Sequence, residues 1–321
     1  MDQFPEGAHV RLRSPVHGGY LHADEDGEGV SLRWRCRASM NSAWQVHRTM
    51  HDGTTCVLLH GAAYGRYLAA SPHPALPGHR VVQADYDGVG AGEDALLWKG
   101  VGSGYAGFVL LRHVSYRLLR ANGRYRPWNA AASLDDADSV STMMHCAVED
   151  IPPRPQPPAL PPPTPATRGS FRSLFLQHPE PVALHRTIRY VRADDHGNFN
   201  PNGWATFQFH GRSVWILRTE VARRLGNAFY FFRVLMCTRA GRYGRLTPLL
   251  VDLPRNEETV DVIVLITGTP AADELRFPNV EETCGQYSCQ ALRSSYPENS
   301  KTLLTQIWRN ENWLPFPFMF T

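Results

Sequence analysis

Apolar and polar positions alternate in short runs over residues 1–150, and the runs recur. Val10-Arg11-Leu12 followed by Tyr20-Leu21-His22-Ala23 returns as Val57-Leu58-Leu59 and Tyr67-Leu68-Ala69-Ala70 at a constant offset of 47, with Gly18 answered by Gly65. A third copy, Val109-Leu110-Leu111 and Leu118-Leu119-Arg120-Ala121, follows after one deletion. Period-two alternation over a few residues predicts half-buried strands, so each copy reads as strand, turn and second short strand. Each unit closes on a further apolar stretch: Ala43-Trp44-Gln45-Val46, Ala95-Leu96-Leu97-Trp98 and Met143-Met144-His145-Cys146-Ala147-Val148.

A unit of about 50 residues of this kind cannot bury its apolar face alone, so three must close on a common core. Short strands, glycine turns and threefold repetition predict an all-β domain, a β-trefoil, over residues 1–150. Leu12, Leu59 and Leu111, with Leu21, Leu68 and Leu119, are its equivalent barrel-filling positions, and Trp44 and Trp98 plug the core near the repeat junctions. In the third repeat Tyr116 stands where the first two carry glycine; if that turn needs a positive φ, Tyr116 is strained. The stretch Gly88 to Gly107, with seven glycines, is expected to be a mobile loop.

Nine prolines between Pro152 and Pro165 interrupt the pattern. Proline fixes φ and removes a backbone donor, so residues 151–185 are expected to be an extended linker that separates two domains. From residue 186 the order becomes strand, strand, helix, strand, strand, strand. Ile188–Val191 and Ala205–Phe209 alternate. Ser213 offers an N-cap to a helix with Val214, Leu217, Val221 and Leu225 on one face, Glu220 four residues before Arg224, and Gly226 as its stop. Strands are expected at Phe231–Cys237, Leu246–Val251 and Val260–Thr267, the second demoted to an edge by Pro248. This order predicts an α+β β-grasp over 186–280. Residues 281–321, closing on Trp313-Leu314-Pro315-Phe316-Pro317-Phe318-Met319-Phe320, lose all period and read as a poorly ordered tail.

Composition narrows the function classes. The 321 residues carry a net charge of +3, and 31 of the 33 basic residues are arginine. Residues 1–150 hold 14 basic against 16 acidic side chains and residues 186–280 hold 13 against 9, so neither half has the basic stripe of a nucleic-acid binder. No run approaches the length of a membrane span. The start is acidic and lacks the pattern of a secretory signal, so an intracellular, cytoplasmic protein is expected, with the nucleus left open. In that setting the six cysteines are expected to be thiols.

Motifs of catalysis are missing. Gly102-Ser103-Gly104-Tyr105-Ala106-Gly107 has the dinucleotide spelling, yet a strand follows it where phosphate binding needs a helix N-terminus. Asp135, Asp136 and Asp138 lack the other oxygen ligands and the glycine of a calcium loop and read as a solvated turn. There is no P-loop, zinc-protease or hydrolase-elbow motif, and no cofactor or metal site is expected. Arg33-Trp34-Arg35-Cys36-Arg37, if a strand, places its three arginines on one face. With Arg11 and Arg13 they form the candidate anion-facing, protein-binding surface.

The opening Phe4-Pro5-Glu6-Gly7-Ala8-His9-Val10-Arg11-Leu12-Arg13-Ser14, the segment His17-Gly18-Gly19-Tyr20-Leu21-His22-Ala23-Asp24-Glu25-Asp26-Gly27 and the run Val140-Ser141-Thr142-Met143-Met144-His145 resemble the plant DUF569 family. That family is similar in fold to fascin-like, actin-crosslinking β-trefoils. Trp204-Ala205-Thr206-Phe207, Arg218-Thr219-Glu220-Val221-Ala222-Arg223-Arg224-Leu225-Gly226 and Gly244-Arg245-Leu246-Thr247-Pro248-Leu249 resemble the ubiquitin-like domain that accompanies it. The chain does not close on Gly-Gly, so this domain reads as a built-in interaction module. The resemblance defines the fold rather than an activity; the expected function is a non-enzymatic adaptor whose trefoil binds a protein surface, actin by analogy with the fascin-like relatives, and whose ubiquitin-like domain recruits another partner. The alternative is an intracellular carbohydrate-binding trefoil, against which stands the absence of a Q-x-W motif from every repeat. Oligomeric state is not legible.

Overall fold

The computed structural model describes residues 3–74, 78–87, 91–122, 132–138, 140–163, 184–226 and 228–282. The first repeat contributes β1 (His9–Arg13), β2 (Tyr20–Ala23), β3 (Val30–Arg33) and β4 (Trp44–His51). The second contributes β5 (Thr54–Gly61), β6 (Tyr67–Pro74), β7 (His79–Ala84), a helical turn α1 (Ala91–Asp94) and β8 (Trp98–Gly102). The third contributes β9 (Val109–His113), β10 (Leu118–Ala121), β11 (Ala132–Asp135) and β12 (His145–Ile151). Outer strands of each repeat pair antiparallel in the cycle β1, β4, β5, β8, β9, β12 and back to β1. The barrel therefore has no free edge. Inner strands form hairpins β2–β3, β6–β7 and β10–β11, which meet one another at Gly29 with Val82 and Ser133 with Arg80. This is the β-trefoil read from the repeats.

All six repeat leucines lie in the barrel, none more than 4% exposed. Trp44 and Trp98 are fully buried, and their indole N–H groups donate to Leu21 and Leu68 carbonyls, themselves equivalent, at 3.2 and 2.9 Å. The third repeat breaks the symmetry: Cys146 pairs with Val109 as the tryptophans pair with Val10 and Val57. The turn after each first strand is shared by all three. Gly18, Gly65 and Tyr116 have φ of 66°, 73° and 66°, and each donates its N–H to the residue opening the turn at 2.8 to 2.9 Å. Tyr116 thus adopts the left-handed backbone its neighbours reserve for glycine, at a cost of about 1–2 kcal/mol.

The expectation of a loop over Gly88–Gly107 is corrected in part. Within it α1 leads into β8, and Leu96, Leu97 and Trp98 are all within 1% of complete burial. Those three apolar side chains anchor the segment despite its glycines.

In the second unit β14 (His185–Arg192), β15 (Ala205–His210), α2 (Val214–Arg224), β16 (Val234–Arg239), β17 (Leu246–Pro248) and β18 (Val260–Ile266) follow in order. The sheet runs β15-β14-β18-β16-β17, with first strand β14 and last strand β18 parallel at its centre. That order is a β-grasp. Val214, Leu217 and Val221 of α2 are fully buried, each worth roughly 1.5–3 kcal/mol. The Ser213 hydroxyl accepts from the Ile216 N–H, Glu220 pairs with Arg224 at 2.8 Å, and Gly226 leaves the helix at φ 71°. Pro248 does sit in the edge strand β17. The strand expected from Phe231 begins instead at Val234, because Ala228–Arg233 form a 3-10 turn.

The proline-rich segment does not hold the units apart over its described part. Pro153–Arg154 form β13, antiparallel to β19 (Phe277–Pro278), and the Asn279 N–H donates to the Pro152 carbonyl at 2.8 Å. Leu160 is only 8% exposed and belongs to the apolar cluster that runs through both units. The unit also extends past residue 267 through α3 (Pro270–Asp273) to β19. The rest of the predicted linker, 164–183, and residues 283–321 of the predicted tail lie outside the described residues.

The turn between β16 and β17 docks on the trefoil through backbone groups. Tyr86 N–H donates to Ala240 carbonyl at 3.0 Å and Tyr243 N–H to Tyr86 carbonyl at 2.8 Å. Gly241 (φ 81°) lies between them, and a Cβ there would meet the Tyr86 carbonyl carbon and oxygen at 2.6 Å. A Cβ on Gly18 would meet nothing. Gly18→Ala should therefore cost only backbone strain, about 1 kcal/mol, whereas Gly241→Ala adds a clash and should cost about 3 kcal/mol. Urea unfolding of the two variants checks this; equal losses would mean the β16–β17 turn is not seated on the trefoil.

Candidate functional site

The described residues converge on a seam between the two units. The β5 strand reads Cys56-Val57-Leu58-Leu59-His60, apolar on both faces. Val57 and Leu59 enter the barrel core, while Cys56 and Leu58 join Tyr67, Ala69, Leu96 and Leu97 in a second cluster outside it. At its end His60, 1% exposed, meets Thr247 of β17, 4% exposed, with Nε2 and the threonine hydroxyl 2.8 Å apart. Tyr67 stacks on His60 at 4.6 Å, and its hydroxyl accepts the Arg245 N–H at 3.1 Å. Around this buried centre runs a rim of ion pairs: Arg245–Glu6 and Arg66–Glu258 at 2.6 Å, Arg255–Glu25 at 2.8 Å. Exposed pairs of this kind contribute little each; the buried contacts hold the seam.

Within the seam lies a cavity of about 450 Å³. His9, Gln45 and His60 line its trefoil side, and Arg239, Arg245 and Arg276 line the other. Burial pushes His9 down to about 4 and His60 down to about 3, so both rings are neutral near pH 7. A ring N–H of His60 hydrogen-bonds the Gly65 backbone, leaving Nε2 to accept from Thr247. Nothing in the spacing of the fourteen histidines along the sequence singles out these two. The two-faced apolar run of β5, ending on a histidine, was the signal that another surface covers it.

The five arginines expected to form one anion-facing surface do not do so. Strand β3 ends at Arg33, and Arg35 has φ 62°, so residues 33, 35 and 37 leave the alternation that would align them. Arg11 is fully buried under the segment after β19, where its Nη2 donates to the Val280 carbonyl at 2.7 Å. Arg13 and Arg37 flank Glu149 at 3.9 and 3.4 Å, with the Tyr20 hydroxyl donating to the same carboxylate at 3.2 Å. Arg33 pairs with Asp24 at 3.1 Å. Of the five, Arg35 alone is exposed at a turn with no carboxylate within salt-bridge distance among the described residues.

Other sequence candidates resolve into structure. Asp135 and Asp136 pair with Arg120 and Arg117 at 2.5 and 3.2 Å. The Gly102–Gly107 run is the turn joining β8 to β9, closed by the Ser103 hydroxyl donating to the Phe108 carbonyl at 2.9 Å. Cys36, Cys56, Cys146 and Cys237 are free thiols, and burial pushes Cys146 and Cys237 up to about 12. Cys284 and Cys289 lie outside the described residues. Among the described residues no group of three or more His, Cys, Asp or Glu is placed to hold a metal ion, and no helix is long and apolar enough to cross a membrane. Asp24 and Asn122 occupy equivalent positions after β2 and β10. Each spends its polar atoms on the facing hairpin strand, Asp24 on the Ser31 hydroxyl at 2.6 Å and Asn122 on Ser133 at 3.0 Å.

Residues 1–146 match the family model described as "Beta-trefoil domain of unknown function (DUF569)". Residues 184–265 match that of the "DUF569 associated ubiquitin-like domain". Among curated proteins no relative matches the sequence. Similar solved structures include a Macrolepiota procera ricin B-like lectin in complex with lactose, at 15% identity and TM-score 0.36, covering 45% of this chain and 96% of that one. The designed threefold-symmetric protein ThreeFoil, at 18% identity and TM-score 0.36, covers 44% and 99%. The Rhizoctonia solani agglutinin, at 13% identity and TM-score 0.35, covers 46% and 96%.

The seam histidines fix a pH dependence. His9 and His60 are neutral in the fold but take a proton at an ordinary pKa of 6.5 once unfolded. Between that value and their folded values the unfolded state binds more protons, so stability is full above pH 6.5 and falls as pH drops below it. At one to two pH units into that window each ring costs about 1.4 kcal/mol per pH unit. Urea unfolding at pH 7.5 and 5.5 should show a loss of at least about 2.5 kcal/mol, made smaller by about 1.4 kcal/mol in His60→Gln. A pH-independent wild type would contradict the burial of both rings.

Proposed function

We propose that this chain, a DUF569 β-trefoil domain followed by its associated ubiquitin-like domain, is a non-enzymatic adaptor that presents two protein-binding surfaces on one docked body. The observation that carries this reading is an apolar ridge on the β-grasp unit. Phe232 is 78% exposed and Ile216 on α2 is 48% exposed. Phe231 packs against Phe232, and Trp215, which precedes Ile216 on α2, packs on Phe231, each pair 5.1 Å apart. The Arg218 guanidinium lies 4.1 Å over the Phe231 ring. A contiguous exposed patch of aromatic side chains with an arginine is the composition of interface anchors, and water does not reward leaving it open.

The trefoil supplies the second surface, for which actin is the partner that the fascin-like resemblance suggests. With Arg13, Arg33 and Arg37 neutralised, an electrostatic contact would centre on Arg35 and be weak and salt-sensitive. The engagement of Asp24 and Asn122 within their hairpins weighs for a protein ligand over a sugar at those positions.

Two measurements test the reading on the full chain. Cross-linking capture should recover discrete proteins with the wild type, reduced at least tenfold, about 1.4 kcal/mol, by Phe232→Asp with Ile216→Asp. Capture indifferent to that change would remove the ridge. Co-sedimentation with filamentous actin should saturate at low salt and weaken in Arg35→Glu; no pelleting at low salt would remove actin and leave the trefoil surface without that partner.

A further inference from the structure

The seam cavity collects positive charge from one unit and closes it with the other. Arg239, Arg245 and Arg276 line it against a single carboxylate, Glu274. Arg245 is engaged by Glu6, which reaches it from outside the lining. Arg239 is different. Its Nε is out of reach of solvent and has no hydrogen-bond partner among the described residues, and the guanidinium lies 5.8 Å from the Phe199 ring centroid. Neither Arg239 nor Arg276 has a carboxylate within salt-bridge distance among the described residues, so two guanidinium charges on this lining are not neutralised by the protein. The opposite wall is polar but uncharged near neutral pH: Gln45 and the two buried histidines.

The geometry points to a binding site in this cavity for a small phosphorylated metabolite, held through its phosphate by Arg239 and Arg276. Planar guanidinium groups match tetrahedral oxyanions with paired N–H donors, and two of them in the lining of one cleft suit a phosphomonoester. The cavity, at about 450 Å³, falls within the range that accommodates small ligands and leaves room beside the phosphate for an organic group against His9, Gln45 and Gly7. Because Gln45 and His9 belong to the trefoil and the arginines to the later segments, an occupant would touch both units and favour their docked arrangement. This site is separate from the Phe232 ridge, and its fate does not depend on the adaptor reading.

Calorimetric titration and thermal unfolding of the full chain at fixed ionic strength test it, with glucose 6-phosphate, inorganic phosphate and glucose as probes. Glucose 6-phosphate should bind saturably at one site per chain and raise the unfolding temperature, inorganic phosphate should do so more weakly, and glucose should do neither. Arg239→Gln and Arg276→Gln should each weaken glucose 6-phosphate at least tenfold, while Arg112→Gln, beside Tyr116 on the trefoil, and Phe232→Asp should bind as the wild type does. If Arg239→Gln fails to fold, the exposed Arg276 decides, since its replacement disturbs no buried contact. Absence of saturable binding, undiminished binding in both cavity variants, or an equal response to sulfate at the same ionic strength would each overturn the assignment.

Discussion

The outer face of β5 is as apolar as its inner face, and that constraint organises the molecule. A barrel closed by three repeats satisfies its own interior but leaves Cys56 and Leu58 facing outward, with Tyr67, Leu96 and Leu97 around them. Apolar surface of this kind is favourable only when covered. The second unit supplies part of the cover at its edge: the β16–β17 segment places Thr247 on His60 and the Arg245 N–H on the Tyr67 hydroxyl. Arg11 makes the same point on β1, where a guanidinium on the outside of a barrel is fully buried because the chain after β19 lies over it. Neither arrangement is intelligible from one unit alone.

Local pattern made the two folds legible because their determinants are local. Repetition at a fixed offset places the six core leucines, and the glycine shared by the first two repeats and replaced by Tyr116 in the third marks a turn of positive φ. The α2 helix carried its cap, apolar stripe and stop within fourteen residues, from Ser213 to Gly226. What was not legible depended on contacts distant in sequence. Arg11 looked like an exposed strand residue because alternation reports which face a side chain takes, not whether a segment some 270 residues later covers that face. Arg33, Arg35 and Arg37 were aligned by assuming a strand that in fact ends at Arg33. The prolines suggested a spacer, yet Pro153–Arg154 use the backbone groups they retain to pair with β19.

Departures from threefold symmetry mark where the trefoil answers to something outside itself. Tyr116 keeps the strained turn without glycine, and Cys146 replaces tryptophan at the third junction. Gly65, the second-repeat partner of Gly18, lies so close to Thr247 and Thr238 that a Cβ would approach them at 3.0 and 3.1 Å. The same turn position is therefore open in repeat one, crowded by the second unit in repeat two and occupied by an exposed tyrosine in repeat three. One motif has been fitted to three surroundings, and only the second builds the seam.

Native-state hydrogen exchange at the seam amides tests the docked arrangement most directly. Tyr86, Tyr243 and Arg245 donate across the seam to Ala240, Tyr86 and Tyr67. If the two units form one body, these three amides exchange only through openings as rare as those that release the neighbouring strands β5 and β16. Exchange at the rate of an ordinary exposed turn, with β5 and β16 still protected, would show that the two folds are joined by the chain alone.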